Sequence, residues 1–171
     1  MKILVLNGSP RANGNTAFLV DAFKKGAEKA GNTVNVMHVG GMNISGCKGC
    51  NYCRTTGNGE CAQKDDMDKV YEALAETDMV VFASSVYYWG FTAQMQAALT
   101  RFYCKGNPGI GKYAMILSSG SPNVYEGITY SYERTLGFFG AENCGIKTIA
   151  GAANKTAEAA AELEAFGESL A

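Results

Sequence analysis

The chain has almost no excess charge of either sign. Its 15 basic and 16 acidic residues give a formal net charge of −1, and no basic cluster stands out. Nucleic acid and anionic membrane surfaces are therefore excluded as expected partners, and recognition must rest on shape. No stretch approaches the roughly 20 apolar residues of a membrane span. Met1 leads straight into an apolar run without a charged leader, so the expectation is a soluble, cytoplasmic protein. Histidine is nearly absent: His38 stands alone within a strand-like segment, reads as a satisfied structural residue, and is given no role. Two common phosphate patterns are missing as well, because neither G-x-G-x-x-G nor G-x-x-x-x-G-K followed by Ser or Thr occurs. Disulfides are not expected, since four of the six cysteines cluster and no secretory leader is evident. The two isolated ones, Cys104 and Cys144, read as small buried apolar residues.

The first twenty residues, MKILVLNGSP RANGNTAFLV, organise the rest. Ile3 to Leu6 form a short continuous apolar run that suits a buried parallel strand. A polar, glycine-containing loop follows. From Asn15 onward, Val20, Phe23, Ala27 and Ala30 recur at helical spacing. Strand, loop and helix N-terminus in that order make an anion site, because unpaired amides and the positive end of the helix dipole face the loop. Ser9, Asn13, Asn15 and Thr16 supply donors and Arg11 the only cation, a set that suits one phosphate monoester. An ordinary turn with a helix cap at Asn15 or Thr16 is the alternative.

The segment GSPRANGNT resembles the GSPRxxGNT phosphate loop of the flavodoxin-like NAD(P)H-dependent FMN reductases, a family that includes the iron-sulfur flavoproteins. The likeness extends over nearly the whole chain. It implies a flavodoxin-like fold, bound FMN, and phosphate contacts at Ser9, Arg11, Asn13, Asn15 and Thr16.

The remaining segments alternate. Strands are expected at 33–39, 79–83, 113–117 and 144–149, and helices from Asp65, over 92–103, over 125–139 and over 155–170. The whole of 1–171 then forms one domain of ordinary size. Its fold class is α/β, a doubly wound five-stranded parallel sheet with helices on both faces and the flavodoxin-like order 2-1-3-4-5. Ligands of such sheets lie beyond the carboxyl ends of the strands, at the switch point between strands one and three. The polar loops after strands one, three and four therefore converge.

By the same resemblance, Ser84, Ser85, Val86, Tyr87, Tyr88, Trp89 and Gly90 match an SPxY segment whose amides reach the flavin edge, with Ser85 where proline is usual. Tyr87, Tyr88 and Trp89 are placed to stack on the ring or to line a nicotinamide pocket. Packing beneath a subunit interface is the plainer alternative. The loop with Ser119 and Gly120 would approach the pyrimidine or dimethylbenzene side. Gln96 and Thr100 depart from the lysine and aspartate common in the family, which unsettles pairing at a dimer contact. FMN carries the chemistry, so no catalytic side chain is expected. The implied activity passes electrons from NAD(P)H, as co-substrate, through FMN to a small-molecule acceptor such as a flavin or quinone. The alternative is an electron-transfer protein reduced by a ferredoxin-like partner. Relatives of this kind associate, so a homodimer or homotetramer is expected.

Between the second strand and the helix at Asp65 lies a loop of about 25 residues, well beyond usual connections. It holds Cys47, Cys50, Cys53 and Cys61 in the spacing C-x2-C-x2-C-x7-C. That run is typical of iron-sulfur ligation, and it resembles the motif of iron-sulfur flavoproteins, which carry a 4Fe-4S cluster near FMN. Many members of the same reductase family look similar through CxxCxxC and a following DDM, here Asp65-Asp66-Met67, and are described as flavin reductases without a cluster. A four-thiolate zinc site or a redox-active disulfide are the further options.

Overall fold

The structure is a computed structural model that describes residues 1–106 and 108–170. Five strands, β1 (Lys2–Asn7), β2 (Thr33–Met37), β3 (Met79–Ser85), β4 (Lys112–Ser119) and β5 (Glu142–Ala150), form one sheet in the order β2-β1-β3-β4-β5. Every pairing is parallel. The helices α1 (Asn15–Lys29), α2 (Met67–Leu74), α3 (Ala93–Arg101), α4 (Glu126–Phe139) and α5 (Ala157–Glu168) connect and flank them. The sequence-based fold class and strand order hold.

Alternation along the strands divides the core. Leu4, Leu6, Val80, Phe82, Met115 and Leu117 face α2, α3 and α4. Ile3, Val5, Val81, Ala83 and Ile116 face α1 and α5. With both faces covered, the central strands must be apolar throughout, and all seven residues of β3 are buried. The strands also run further than their apolar stretches, since β3 ends at Ser85 and β4 at Ser119. These serines, expected in loops, continue the ladders in register, Ser84 opposite Leu117 and Ser85 opposite Ser118. The polar ends of β1, β3 and β4 thereby meet at one edge. β2, by contrast, stops at Met37, so His38 falls in the turn beyond it. No helix among the described residues is long and apolar enough to cross a membrane.

Candidate functional site

The turn after β1 is fixed by its own short-range bonds. The amide of Gly8 donates to the Ala83 carbonyl at 2.8 Å, carrying the β1–β3 ladder one step past the strand. The amide of Ser9 donates to Asn7 Oδ1 at 3.0 Å, and that of Arg11 to Ser9 Oγ at 3.3 Å. Gly14, the N-cap of α1, makes no side-chain cap bond to the first turn, which also lacks an acidic residue. The cap at Asn15 or Thr16 that an ordinary turn would show is not formed. Elsewhere Thr92 caps α3 and Thr156 caps α5 through their hydroxyls. The start of α1 thus presents open amides and a positive dipole end to whatever lies beside the loop, and this fits a phosphate.

That loop forms one wall of a cleft. Arg11 and Asn15 line a cavity of about 270 Å³ together with Ser85, Val86, Tyr87, Ser118, Ser119 and Gly120. A second cavity of about 180 Å³ shares Val86, Ser119 and Gly120 and continues to Tyr88, Trp89, Ser121 and Val124. Loops after β1, β3 and β4 therefore enclose one continuous surface. The other expected residues lie around it. Ser9, Thr16 and Ser84 are buried beneath the cleft. The Thr16 hydroxyl is bonded to that of Ser118 at 2.8 Å, and Ser84 donates to the Ser85 carbonyl at 2.8 Å. Asn13 lies on the opposite side of the loop, lining a separate cleft with His38 and Lys155. Gly90 closes the aromatic turn.

The aromatic turn is a two-residue hairpin. Tyr87 and Gly90 exchange both backbone hydrogen bonds, at 3.1 and 2.9 Å. Tyr88 and Trp89 between them have φ of 47° and 60°, the left-handed pair that such hairpins require and that Asn and Gly usually fill. Tyr88 is 93% exposed. Across the cleft, the Ser119 hydroxyl donates to the Ser121 carbonyl at 2.7 Å, so the Tyr125 hydroxyl at 2.6 Å must donate to Ser119.

On the face of the sheet covered by α3, the stretch Thr100 to Lys105 clasps the cysteine loop, whose neck is also pinned by bonds exchanged between Asn43 and Asp66. Thr100 Oγ1 accepts from the Cys47 amide at 3.1 Å. Arg101, with only 1% of its side chain exposed, donates to the Ser45 carbonyl at 2.9 Å, to Asp65 at 2.8 Å and to the Gln63 carbonyl at 3.2 Å. It closes the neck of the loop. The Tyr103 carbonyl accepts from Arg54, and the Cys104 thiol and Lys105 both reach the Gly59 carbonyl. Cys47, Cys50, Cys53, Cys61 and Cys104 line a single recess. The donor set is right for a soft metal. The arrangement is not, for among the described residues no three His, Cys, Asp or Glu side chains stand close enough to share one ion. Cys104 is buried as expected and its burial pushes the thiol pKa up, yet it belongs to this recess and not to the inert core. Cys144 is only half-buried, on the edge strand. Neither Arg101 nor Cys104 carried a local sequence signal, because their partners lie more than 30 residues away.

Residues 1–162 match the profile of the NADPH-dependent FMN reductases. The chain belongs to that family. Within it, the chain is 39% identical over 130 residues to an iron-sulfur flavoprotein of Archaeoglobus fulgidus, a match covering 75% of this chain and 56% of the relative. The chain spans about half the length of the curated relatives it matches. Among solved structures it resembles an NAD(P)H:quinone oxidoreductase from Methanothermobacter marburgensis, with TM-score 0.75, 17% identity and coverage of 99% and 93% of the two chains. An FMN-dependent NADH-azoreductase from Bacillus anthracis in complex with FMN is similar with TM-score 0.71, 13% identity and 99% of both chains covered. At these identities the likeness establishes the flavodoxin-like fold.

Proposed function

We propose that this chain binds FMN with the phosphate on the loop from Ser9 to Thr16 and the ring along Ser85–Trp89 and Ser119–Gly120, and that it acts as an oxidoreductase. In this reading NADH or NADPH is the donor and a quinone, free flavin or similar small molecule the acceptor. The observation that carries the reading is the continuous cleft running from the uncapped start of α1, past Arg11 and Asn15, to the aromatic turn. Bound FMN supplies the hydride and single-electron chemistry. The protein's part is to bind and orient. Arg11 would offset the phosphate charge, the first-turn amides of α1 would donate to its oxygens, and Tyr88 and Trp89 line the far end of the cleft. Exposed aromatic side chains on that turn also suit a homodimer or homotetramer interface. The test is reconstitution with FMN followed by anaerobic mixing with NADH and with NADPH. Bleaching of the flavin absorbance by either supports the reading; a bound flavin that neither nicotinamide reduces would overturn it.

A second reading follows the name of the curated relatives and the presence of five thiols around one recess, although among the described residues no three of them stand close enough to share one ion. It makes the chain an electron-transfer protein reduced by a ferredoxin-like partner, with a 4Fe-4S cluster on Cys47, Cys50, Cys53 and Cys61. The thiols would have to close on the metal, so no electron step is assigned to it. Anaerobic reconstitution separates the two: about four iron per chain is expected for the cluster, and negligible iron removes it.

A further inference from the structure

We infer that His38, together with Lys155, sets the shape of the phosphate loop and so makes the site select phosphorylated over unphosphorylated flavin, an inference that rests on the flavin reading above. His38 Nε2 lies 2.6 Å from the carbonyl oxygen of Ser9. A carbonyl can only accept, so this nitrogen carries the proton. The turn that presents His38 packs directly on the loop backbone: a Cβ at Gly40 would stand 1.9 Å from the same Ser9 oxygen. At the other end of the loop, Lys155 Nζ donates to the Asn13 carbonyl at 3.0 Å. Immediately before Ser9, Thr92 Oγ1 donates to the Gly8 carbonyl at 2.6 Å.

Carbonyl oxygens repel a phosphate, and a loop bearing several of them binds one only when they are turned away. Here three are anchored by donors from three separate parts of the chain, on β2's exit, before α3 and before α5. The amides at the start of α1 are left to face the cleft. Neither His38 nor Lys155 lines the cleft with Arg11 and Asn15; both line the separate cleft behind the loop. They are therefore positioning residues, and their effect should fall on the phosphate and spare the ring.

The experiment is titration of the apoprotein with FMN and with riboflavin, followed by fluorescence quenching. His38→Leu should weaken FMN by about tenfold, the loss expected when a hydrogen bond supporting a charged ligand disappears, and leave riboflavin unchanged. His38→Gln, which keeps a donor, should restore FMN binding. Equal loss for both flavins, or no loss, would overturn the inference. Should His38→Leu fail to fold, Lys155→Met at its exposed position decides: FMN alone should weaken, and the loss should persist at about 1 M salt, where screening acts within ~3 Å. A loss that salt abolishes would reduce Lys155 to a distant charge and overturn its positioning role. A wild-type protein that does not prefer FMN over riboflavin would instead bring down the phosphate assignment itself, a result distinct from a wild-type preference that the variants leave intact.

Discussion

Tyr88 and Trp89 hold left-handed backbone that costs an L-residue roughly 1–2 kcal/mol, and Tyr88 recovers little of this through burial because it is 93% exposed. Aromatic residues kept in a strained, solvent-facing turn point to a use at the surface of the cleft. Tyr88→Asn should therefore raise stability by about 1 kcal/mol, since Asn tolerates this conformation, and lift Tm by about 2–4 °C in a chain of this size. On the proposed function, turnover of a quinone acceptor should fall in the same variant. A thermal scan in which Tm stays put or drops would show that the turn is not strained. The residue scale is also where the sequence was least legible. Ser9 and Thr16 have the right chemistry for a phosphate, but hydroxyls bond protein equally well, and Thr16 finds Ser118, 102 positions away. His38 looked inert because nothing in its own segment discloses the carbonyl of Ser9.

At the scale of elements, the strands were readable because a parallel strand covered on both faces must be a continuous apolar run, as in Ile3–Leu6 and Met79–Ala83. Their polar ends were not, since Ser84, Ser85, Ser118 and Ser119 are strand by hydrogen bonding and loop by composition. The cysteine loop was visible as an over-long connection, while its clasp was hidden in α3. Arg101→Gln would leave Asp65 as a nearly buried, unpaired carboxylate, and breaking such a pair costs on the order of 3–5 kcal/mol. Urea unfolding should register that loss, and thiol labelling of Cys53 and Cys61 should accelerate as the neck opens. Burial alone would push the Asp65 pKa up, but the bond from Arg101 and the amides of Ser45 and Met67 outweigh it and hold it below the usual carboxylate value. A depressed folded pKa contributes stability that is complete above the unfolded value of about 3.9 and lost as pH falls through the folded one. The clasp's contribution to urea stability should thus persist at neutral and mildly acid pH and fade only in stronger acid. Asp65→Asn should remove that acid-dependent step. A contribution that already fades near neutral pH would refute the clasp.

Across the whole molecule, the sheet order places β1 and β3 side by side, and the cleft opens beyond their carboxyl ends, where the strand order reverses. Its walls belong to loops far apart in sequence that a few direct bonds join, among them Gly8 to Ala83, Thr92 to Gly8, Val86 to Ser118, and Thr16 to Ser118. A ligand that touches all three loops bridges segments anchored in both halves of the core, so its binding energy should appear as global stability and not as local ordering alone. At a free FMN concentration about 100 times the dissociation constant, mass action gives ~2.7 kcal/mol. For a chain of this length that corresponds to a Tm higher by about 5–10 °C. The rise should follow the logarithm of FMN concentration, and riboflavin at the same concentration should give less, because in the proposed pose the start of α1 would meet only the phosphate. Differential scanning fluorimetry across an FMN series checks both statements. An unchanged Tm at millimolar FMN would mean that the three loops converge on some other ligand, whereas equal shifts from both flavins would leave the cleft a flavin site and remove the phosphate from its recognition.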